Sequence, residues 1–157
     1  MSTDPVRAAI EAEAKRVERE TRIWALAHRM ATSVWRWVYL ALGVPTTALA
    51  AVAGGSALAH HRVVAAVFAL AAAVSSALMT FLNPAVQVAD HRKAAGRYQA
   101  IENRARVLWE VTCATAMTID DLQKVLNLLV EDWNRAVDPP LFVGFYRRAK
   151  QQIQAGE

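Results

Sequence analysis

The fold of this chain is decided by residues 37–82, which read WVYLALGVPTTALAAVAGGSALA, then HHR, then VVAAVFALAAAVSSALMTFL. The first run, residues 37–59, holds 23 residues without an Asp, Glu, Lys or Arg, and the second, residues 63–82, holds 20 more. A bilayer core is about 30 Å thick and an α-helix rises about 1.5 Å per residue, so each run is long enough to cross once. Because the link at residues 60–62 is so short, the two runs predict an antiparallel transmembrane hairpin.

Charged residues flank the hairpin and set its expected orientation. Arg62 is the only one of the 18 Lys and Arg residues that lies between the outer ends of the two runs. Basic residues stand near the other ends of both runs: Arg29, Arg36, Arg92, Lys93 and Arg97. The positive-inside rule therefore places the link outside and both termini in the cytoplasm. The net charge of +4 then faces anionic lipid headgroups of the bilayer, and nucleic acid is not expected as a partner.

The segments on either side of the hairpin have the apolar spacing of helices. Residues 6–36 show apolar side chains at three- and four-residue steps, preceded by a helix start at Asp4-Pro5. Residues 85–153 contain several further helices and show no strand pattern. We therefore predict an all-α membrane protein, a single domain over residues 1–157. In it, a two-helix transmembrane hairpin is joined to a cytoplasmic helical bundle built from the N- and C-terminal helices.

A seam of alternating four- and three-residue spacing runs along the first C-terminal helix, which is expected from residue 85 to about Cys113. Its central members are Tyr98, Ile101, Ala105 and Leu108. Such a seam is typical of a coiled coil. It either pairs subunits or packs within one chain, and the spacing leaves both alternatives open. The next helix is expected to begin at Thr118, with the hydroxyl as its cap.

Small and weakly polar residues recur within the two predicted spans. On the first span they lie four residues apart: Gly43, Thr47, Ala51 and Gly55. On the second span, Ser76 and Thr80 share one face. Small residues at every fourth position let two helix backbones approach closely, so we predict a homo-oligomer. The six residues are candidates for helix packing or for lining a pore, unless the hydroxyls bond to carbonyls of their own helices.

Pro45 lies inside the first span and is expected to bend it. Because proline has no N–H, the carbonyl four residues earlier loses its helical partner. Thr46 and Thr47, which follow Pro45, are expected to donate hydrogen bonds to that carbonyl.

The sequence contains no specific catalytic or metal-binding pattern. His60-His61 has no nearby carboxylate or cysteine, and His28 and His91 can titrate near neutral pH but are paired with no nucleophile. The two spans lack charged residues, which argues against ion-coupled transport. We therefore predict a non-enzymatic protein without a cofactor, and the single cysteine excludes an intrachain disulfide.

Several short stretches in a fixed order carry a resemblance to a known family. They are Val44-Pro45-Thr46-Thr47, Ala53-Gly54-Gly55, Thr80-Phe81-Leu82-Asn83-Pro84, His91-Arg92, Ala95-Gly96-Arg97-Tyr98 and Pro139-Pro140. Over nearly its whole length the chain resembles the bacterial SLATT domain, the two-transmembrane effector domain associated with SMODS nucleotidyltransferases and SLOG domains. The resemblance implies a pore-forming effector of the bacterial inner membrane in an anti-phage defence or conflict system. Its trigger would be a nucleotide second-messenger synthetase or a sensor protein encoded nearby.

Two hypotheses for the function follow. The first is a homo-oligomeric membrane effector that forms or gates a pore, lined in part by Thr47, Ser76 and Thr80. The second is a membrane-anchored scaffold, whose cytoplasmic helices recruit a soluble partner. Exchange of residues 37–82 for a generic two-span anchor distinguishes the two, because a scaffold tolerates that exchange and a pore does not.

Overall fold

The structure, a computed structural model, describes residues 4–112, 117–136 and 138–156, so Cys113 lies outside the described residues. Within these ranges every regular element is helical and no strand occurs, which confirms the all-α prediction. The helices are α1 (Pro5–Leu58), α2 (Arg62–Leu82), α3 (Pro84–Val107), α4 (Ile119–Asn134) and α5 (Val143–Gln154). A turn of π-helix, Leu108–Thr112, extends α3.

The first helix is longer than the sequence predicts. α1 covers 54 residues without a break, whereas the sequence divides this stretch at Trp37. That division is a change in hydropathy and not in backbone chemistry, because no Gly or Pro stands there to end a helix. Pro45 lies inside α1 and removes one helical donor only. The start is as predicted, since Oδ1 of Asp4 accepts a hydrogen bond from the Val6 N–H at 3.0 Å.

A single residue joins α2 to α3. Asn83 has a left-handed φ of 41°, and its N–H donates to the Met79 carbonyl at 3.0 Å, which closes α2. The Asn83 carbonyl accepts from the N–H groups of Val86 and Gln87 at 3.1 and 3.2 Å, which opens α3. Pro84 follows at the first helical position, where an N–H has no helical partner. The predicted stop at Asn83-Pro84 is therefore confirmed, and it is a direct turn from one helix into the next.

The chain divides into two compact units. The terminal unit consists of Met1–Ala31 and Asp90–Glu157, and the hairpin unit is Thr32–Ala89. Two helices of the described chain are long and apolar enough to cross a membrane, and their apolar stretches correspond to the two predicted spans. The prediction of two candidate spans is confirmed at the level of helix length and composition.

The core of the terminal unit is built from one stripe of each of its helices. Its larger cluster gathers buried apolar side chains of α1, the α3 region and α4: Ile10, Ala14, Val17, Ile101, Ala105, Leu108, Leu122 and Leu129. A smaller cluster joins Ile23 and Ala27 of α1 to Ala149 of α5. The cap of α4 is as predicted, because the Thr118 side chain accepts from the Asp121 N–H at 3.3 Å.

Candidate functional sites

Each apolar helix of the hairpin unit has one partly buried face. On α1 this face recurs at three- and four-residue steps: Leu42, Thr46, Leu49, Ala53 and Ser56. On α2 the matching positions are Ala65, Phe68, Ala72, Ser75 and Met79. Ala53 and Ala72 are the most buried, at 9% exposure each. The alternation is that of two helices packed along a common seam, and alanine at its centre lets the backbones come close.

The candidate residues of the first span lie at the edge of this seam or outside it. A Cβ added to Gly43 would meet Met79 Cε at 3.7 Å, an ordinary contact between the two helices. Thr47, Ala51 and Gly55 are exposed, and a Cβ at Gly55 would meet no atom within 4 Å. Most of the stripe of small residues is therefore not used in packing the hairpin unit and faces outward.

A groove between the two helices brings some of the candidate residues together. It encloses about 400 Å³ and is lined by Tyr39, Leu40, Gly43, Val44, Thr46, Thr47, Ser76 and Met79. Gly43, Thr47 and Ser76, predicted from both spans, thus share one surface. Ala51, Gly55 and Thr80 do not line this groove.

The threonine hydroxyls of both spans donate to carbonyls of their own helices. Thr47 Oγ1 donates to the Gly43 carbonyl at 3.0 Å, and Thr80 Oγ1 donates to the Ser76 carbonyl at 3.0 Å. For Thr47 and Thr80, the structure therefore shows the alternative in which the hydroxyl bonds a carbonyl of its own helix. Each hydroxyl oxygen still carries acceptor lone pairs, because a hydroxyl has one donor and two acceptor sites.

The expectation for the carbonyl freed by Pro45 is wrong. Thr46 Oγ1 donates to the Leu42 carbonyl at 2.6 Å, and the Thr47 hydroxyl bonds one residue further along. The freed carbonyl is that of Ala41, four residues before Pro45. A threonine in a helix reaches the carbonyl four residues before itself, so the two residues after the proline bond the next two carbonyls instead.

The predicted seam on α3 packs inside the terminal unit of one chain. Tyr98, Ile101, Ala105 and Leu108 are 4%, 4%, 0% and 2% exposed. The last three belong to the larger core cluster, and the Tyr98 ring stacks on Trp24 of α1 at a centroid distance of 5.9 Å. Packing within one chain thus accounts for the spacing of these four side chains.

A buried polar cluster links α1, α3 and the segment before α5. His28 of α1 is 0% exposed and His91 of α3 is 2% exposed, and their Nδ1 atoms lie 3.0 Å apart. His28 Nε2 lies 4.0 Å from Oδ2 of Asp138, the same oxygen that accepts a hydrogen bond from the Tyr98 hydroxyl. Arg97 Nη1 lies 3.9 Å from the other oxygen of Asp138. We call these five residues the histidine cluster.

Burial dominates the electrostatics of the histidine cluster. It lowers the pKa of His28, although the Asp138 carboxylate acts in the opposite direction. Burial also lowers the pKa of His91, against the raising effect of Asp90 and Asp138. Burial and then the hydrogen bond to Asp138 raise the pKa of Tyr98, so its hydroxyl keeps its proton at neutral pH. The two imidazoles are therefore neutral at pH 7, since the charged form loses most on desolvation.

The sequence provides only part of this cluster. His28 falls on the apolar stripe of residues 6–36, which is a signal of burial, but its partner His91 lies 63 residues further along. In the sequence, Asp138 is recognised only as part of Asp138-Pro139-Pro140, which ends the helix that begins at Thr118. No group of three or more His, Cys, Asp and Glu side chains in the described ranges is arranged to hold a metal ion. The imidazoles are closed to solvent, which suits a structural role better than contact with a substrate.

A second groove lies on the terminal unit between the α3 region and α4. It encloses about 430 Å³ and is lined by Asn103, Arg104, Val107, Leu108, Thr112, Val125, Leu128, Leu129 and Asp132. Its apolar wall is open to solvent, because Val107 is 53% and Leu128 is 62% exposed. Arg104 Nη1 and Asp132 Oδ2 form an ion pair of 2.7 Å among the lining residues.

No protein-family model matches the chain, and no curated protein and no solved structure matches it either. The resemblance to the SLATT domain therefore remains an expectation from the sequence.

Proposed function

We propose that this chain is a non-enzymatic effector of the bacterial inner membrane, which assembles with copies of itself and forms or gates a pore. The observation that carries the proposal is the groove in which Thr47 of α1 and Ser76 of α2 meet. A water-filled path requires polar groups along its wall, and here both helices contribute one to the same surface.

Assembly of several copies is part of the proposal because two helices enclose no channel. The outward stripe of Thr47, Ala51 and Gly55 gives a neighbouring helix room to approach. Close approach of backbones is the main source of helix association in a membrane, where burial of apolar surface provides no driving force. We expect the stripe of one copy to contact a helix of the next.

The chemistry of the spans favours passive conduction over coupled transport. Neither run contains an Asp, Glu, Lys or Arg, the residues that bind and release coupling ions within membranes. The Thr47 and Thr80 hydroxyls donate their hydrogens to carbonyls of their own helices. Each hydroxyl oxygen therefore acts toward water as a hydrogen-bond acceptor.

Orientation and trigger complete the proposal. The basic residues near the outer ends of the spans favour a topology with both termini, and hence the terminal unit, in the cytoplasm. The resemblance to the SLATT domain supports a role in an anti-phage defence or conflict system. In such a role the terminal unit receives a signal from a nucleotide second-messenger synthetase or a sensor protein encoded nearby.

The test is leakage of the inner membrane after induced expression, read with a potential-sensitive dye. Ser76→Leu with Thr80→Leu replaces two of the three hydroxyl side chains of α2 by bulky apolar groups and should abolish depolarisation. The matched control is Val67→Leu with Val74→Leu, two exposed positions on the side of α2 away from Ser76 and Thr80, which should depolarise like the unaltered chain. Western blots of membrane fractions establish equal insertion.

Two results would contradict the pore. Unchanged leakage in the Ser76 and Thr80 variant would show that these residues line no path. An absence of leakage in the unaltered chain, both alone and co-expressed with the neighbouring synthetase or sensor, would reject conduction itself.

A scaffold is the second candidate, favoured by the apolar groove between the α3 region and α4. Val107 and Leu128 expose apolar surface there, beside the Arg104–Asp132 ion pair, which is the composition of a small protein-docking site. If the chain recruits a soluble partner, exchange of residues 37–82 for a generic two-span anchor will preserve function. Loss of function on that exchange, with insertion maintained, favours the pore.

A further inference from the structure

The histidine cluster joins parts of the chain that are far apart in sequence. His28 lies on α1, His91 and Tyr98 lie on α3, and Asp138 lies in the segment between α4 and α5. The hydrogen bond between the imidazoles is a buried polar contact of α1 with α3, and both rings are closed to solvent. A change in the proton count of the pair therefore acts on all three segments together.

The geometry assigns a tautomer to each ring. His28 Nε2 lies 4.0 Å from a carboxylate oxygen of Asp138, a position that favours an N–H over a lone pair. A neutral His28 that carries its proton on Nε2 has an acceptor at Nδ1. The facing Nδ1 of His91, at 3.0 Å, must then be the donor. In this neutral state the pair is satisfied, with one shared hydrogen between the two Nδ1 atoms.

We propose that the His28–His91 pair is a proton-sensitive latch, which holds α1, α3 and the segment before α5 together at neutral pH and releases them when both imidazoles are protonated. One added proton leaves a hydrogen bond between the two Nδ1 atoms possible, because His91 can carry its own proton on Nε2, but it places a charge in a site closed to water. A second proton puts an N–H on both Nδ1 atoms, which face each other at 3.0 Å, so the shared hydrogen bond is lost.

Other charged groups around the two histidines influence how readily the pair takes up a proton. Asp138 faces His28 from the segment before α5, and Asp90 and Asp138 both stabilise a charge on His91. Arg97 lies 3.9 Å from Asp138 and offsets part of its negative charge. On the α1 and α5 side the ring neighbours are aromatic: Trp24 stands next to His28 and Tyr146 stands next to Trp24. Burial outweighs the two carboxylates, so the neutral pair is favoured in the folded chain.

The sign of the pH dependence follows from the lowered pKa of both histidines. An exposed imidazole in the opened chain binds a proton below about pH 6.5, whereas the buried pair resists it. The opened chain thus takes up more protons, and closure is strongest above about pH 6.5 and weakens as the pH falls toward the lowered pKa values. The opening constant is the equilibrium constant between the opened and the closed terminal unit. For each proton taken up on opening, it rises about tenfold per pH unit below about pH 6.5.

The test is hydrogen–deuterium exchange of the full chain in lipid nanodiscs at pH 7.5 and 5.5, corrected for intrinsic rates. Amides of residues 24–31 and 91–98 should exchange about 10- to 100-fold faster at pH 5.5 in the unaltered chain. His91→Gln should reduce this dependence about tenfold, because it removes one of the two imidazoles that take up a proton on opening, while its amide still offers either an N–H or an oxygen to His28. The matched control, His60→Gln with His61→Gln, changes two exposed histidines outside the cluster and should keep the full dependence.

Equal corrected exchange at the two pH values, or equal pH dependence in the unaltered chain and the His91→Gln variant, would overturn the latch. If His91→Gln does not fold, nitrogen chemical shifts of the imidazoles in the unaltered chain decide. The latch requires Nε2–H on His28 and Nδ1–H on His91 at pH 7.5. The reverse tautomers, or a charged ring at that pH, would reject it.

Discussion

Tyr98→Phe isolates one hydrogen bond of the histidine cluster. The ring is 4% exposed and stays in place in the variant, so the stack on Trp24 is kept and only the hydroxyl is lost. That hydroxyl donates to Asp138, whose carboxylate then depends on Arg97 at 3.9 Å and His28 at 4.0 Å. A hydrogen bond to a charged group contributes about 1.5–3 kcal/mol, and the Arg97 guanidinium, which stays near the carboxylate, reduces the loss. We expect Tyr98→Phe to lower the free energy of opening of the terminal unit by about 1.5–2 kcal/mol.

That loss corresponds to a roughly 10- to 30-fold rise in the opening constant of the terminal unit, since about 1.4 kcal/mol is a factor of ten. Hydrogen exchange of residues 94–101 in nanodiscs at pH 7.5 measures it directly. Tyr146→Phe is the matched control, because it removes the same atom from a partly exposed site where the hydroxyl bonds Glu20 at 3.0 Å. It should cost about 0.5–1 kcal/mol. A Tyr98→Phe effect no larger than that of Tyr146→Phe would refute the argument from burial.

Four further substitutions test other parts of the chain. Leu122→Ala empties a site with 0% exposure and should destabilise the terminal unit by about 2–5 kcal/mol, whereas Leu128→Ala, at 62% exposure, should change thermal stability by less than about 1 kcal/mol. Thr118→Ala removes the cap of α4 and should cost about 1 kcal/mol, seen as faster exchange confined to the first turn. A Cβ added at Gly55 has no neighbouring atom within 4 Å, so Gly55→Leu should leave helicity unchanged but reduce chemical crosslinking between copies in membranes. Unreduced crosslinking would remove this position from the contact between copies.

The sequence predicts the helical architecture well because its signals are local. Two uncharged runs, the Thr118 cap and the Asn83-Pro84 stop each depend on residues within one or two turns of each other, and the structure contains all of them. The continuity of the first helix across Trp37 is missed for the same reason. A change from polar to apolar residues at Trp37 marks a change of surroundings, which leaves the backbone hydrogen bonds unaltered.

The histidine cluster could not be predicted, because it depends on the packing of distant segments. The stripe around His28 indicates a buried side, but spacing within one helix does not reveal which residue of another helix it meets. Asp138 lies 110 residues after His28, and only the return of the chain past α1 brings its carboxylate to 4.0 Å. The groove lined by Thr47 and Ser76 could be predicted in part. A three-residue link predicts that the two spans are neighbours, but it does not predict which faces of the two helices contact each other.

The one-residue junction at Asn83 restricts how α2 and the first turn of α3 can move. Helical hydrogen bonds fix the backbone on both sides, so nearly all relative rotation of the two axes is concentrated in two dihedral angles of one residue. Asparagine is among the few non-glycine residues that occupy the left-handed region at low cost, and a β-branched residue there would be strained. The joint therefore acts as a defined pivot rather than a flexible tether, and inserted residues would uncouple the direction of one helix from that of the other.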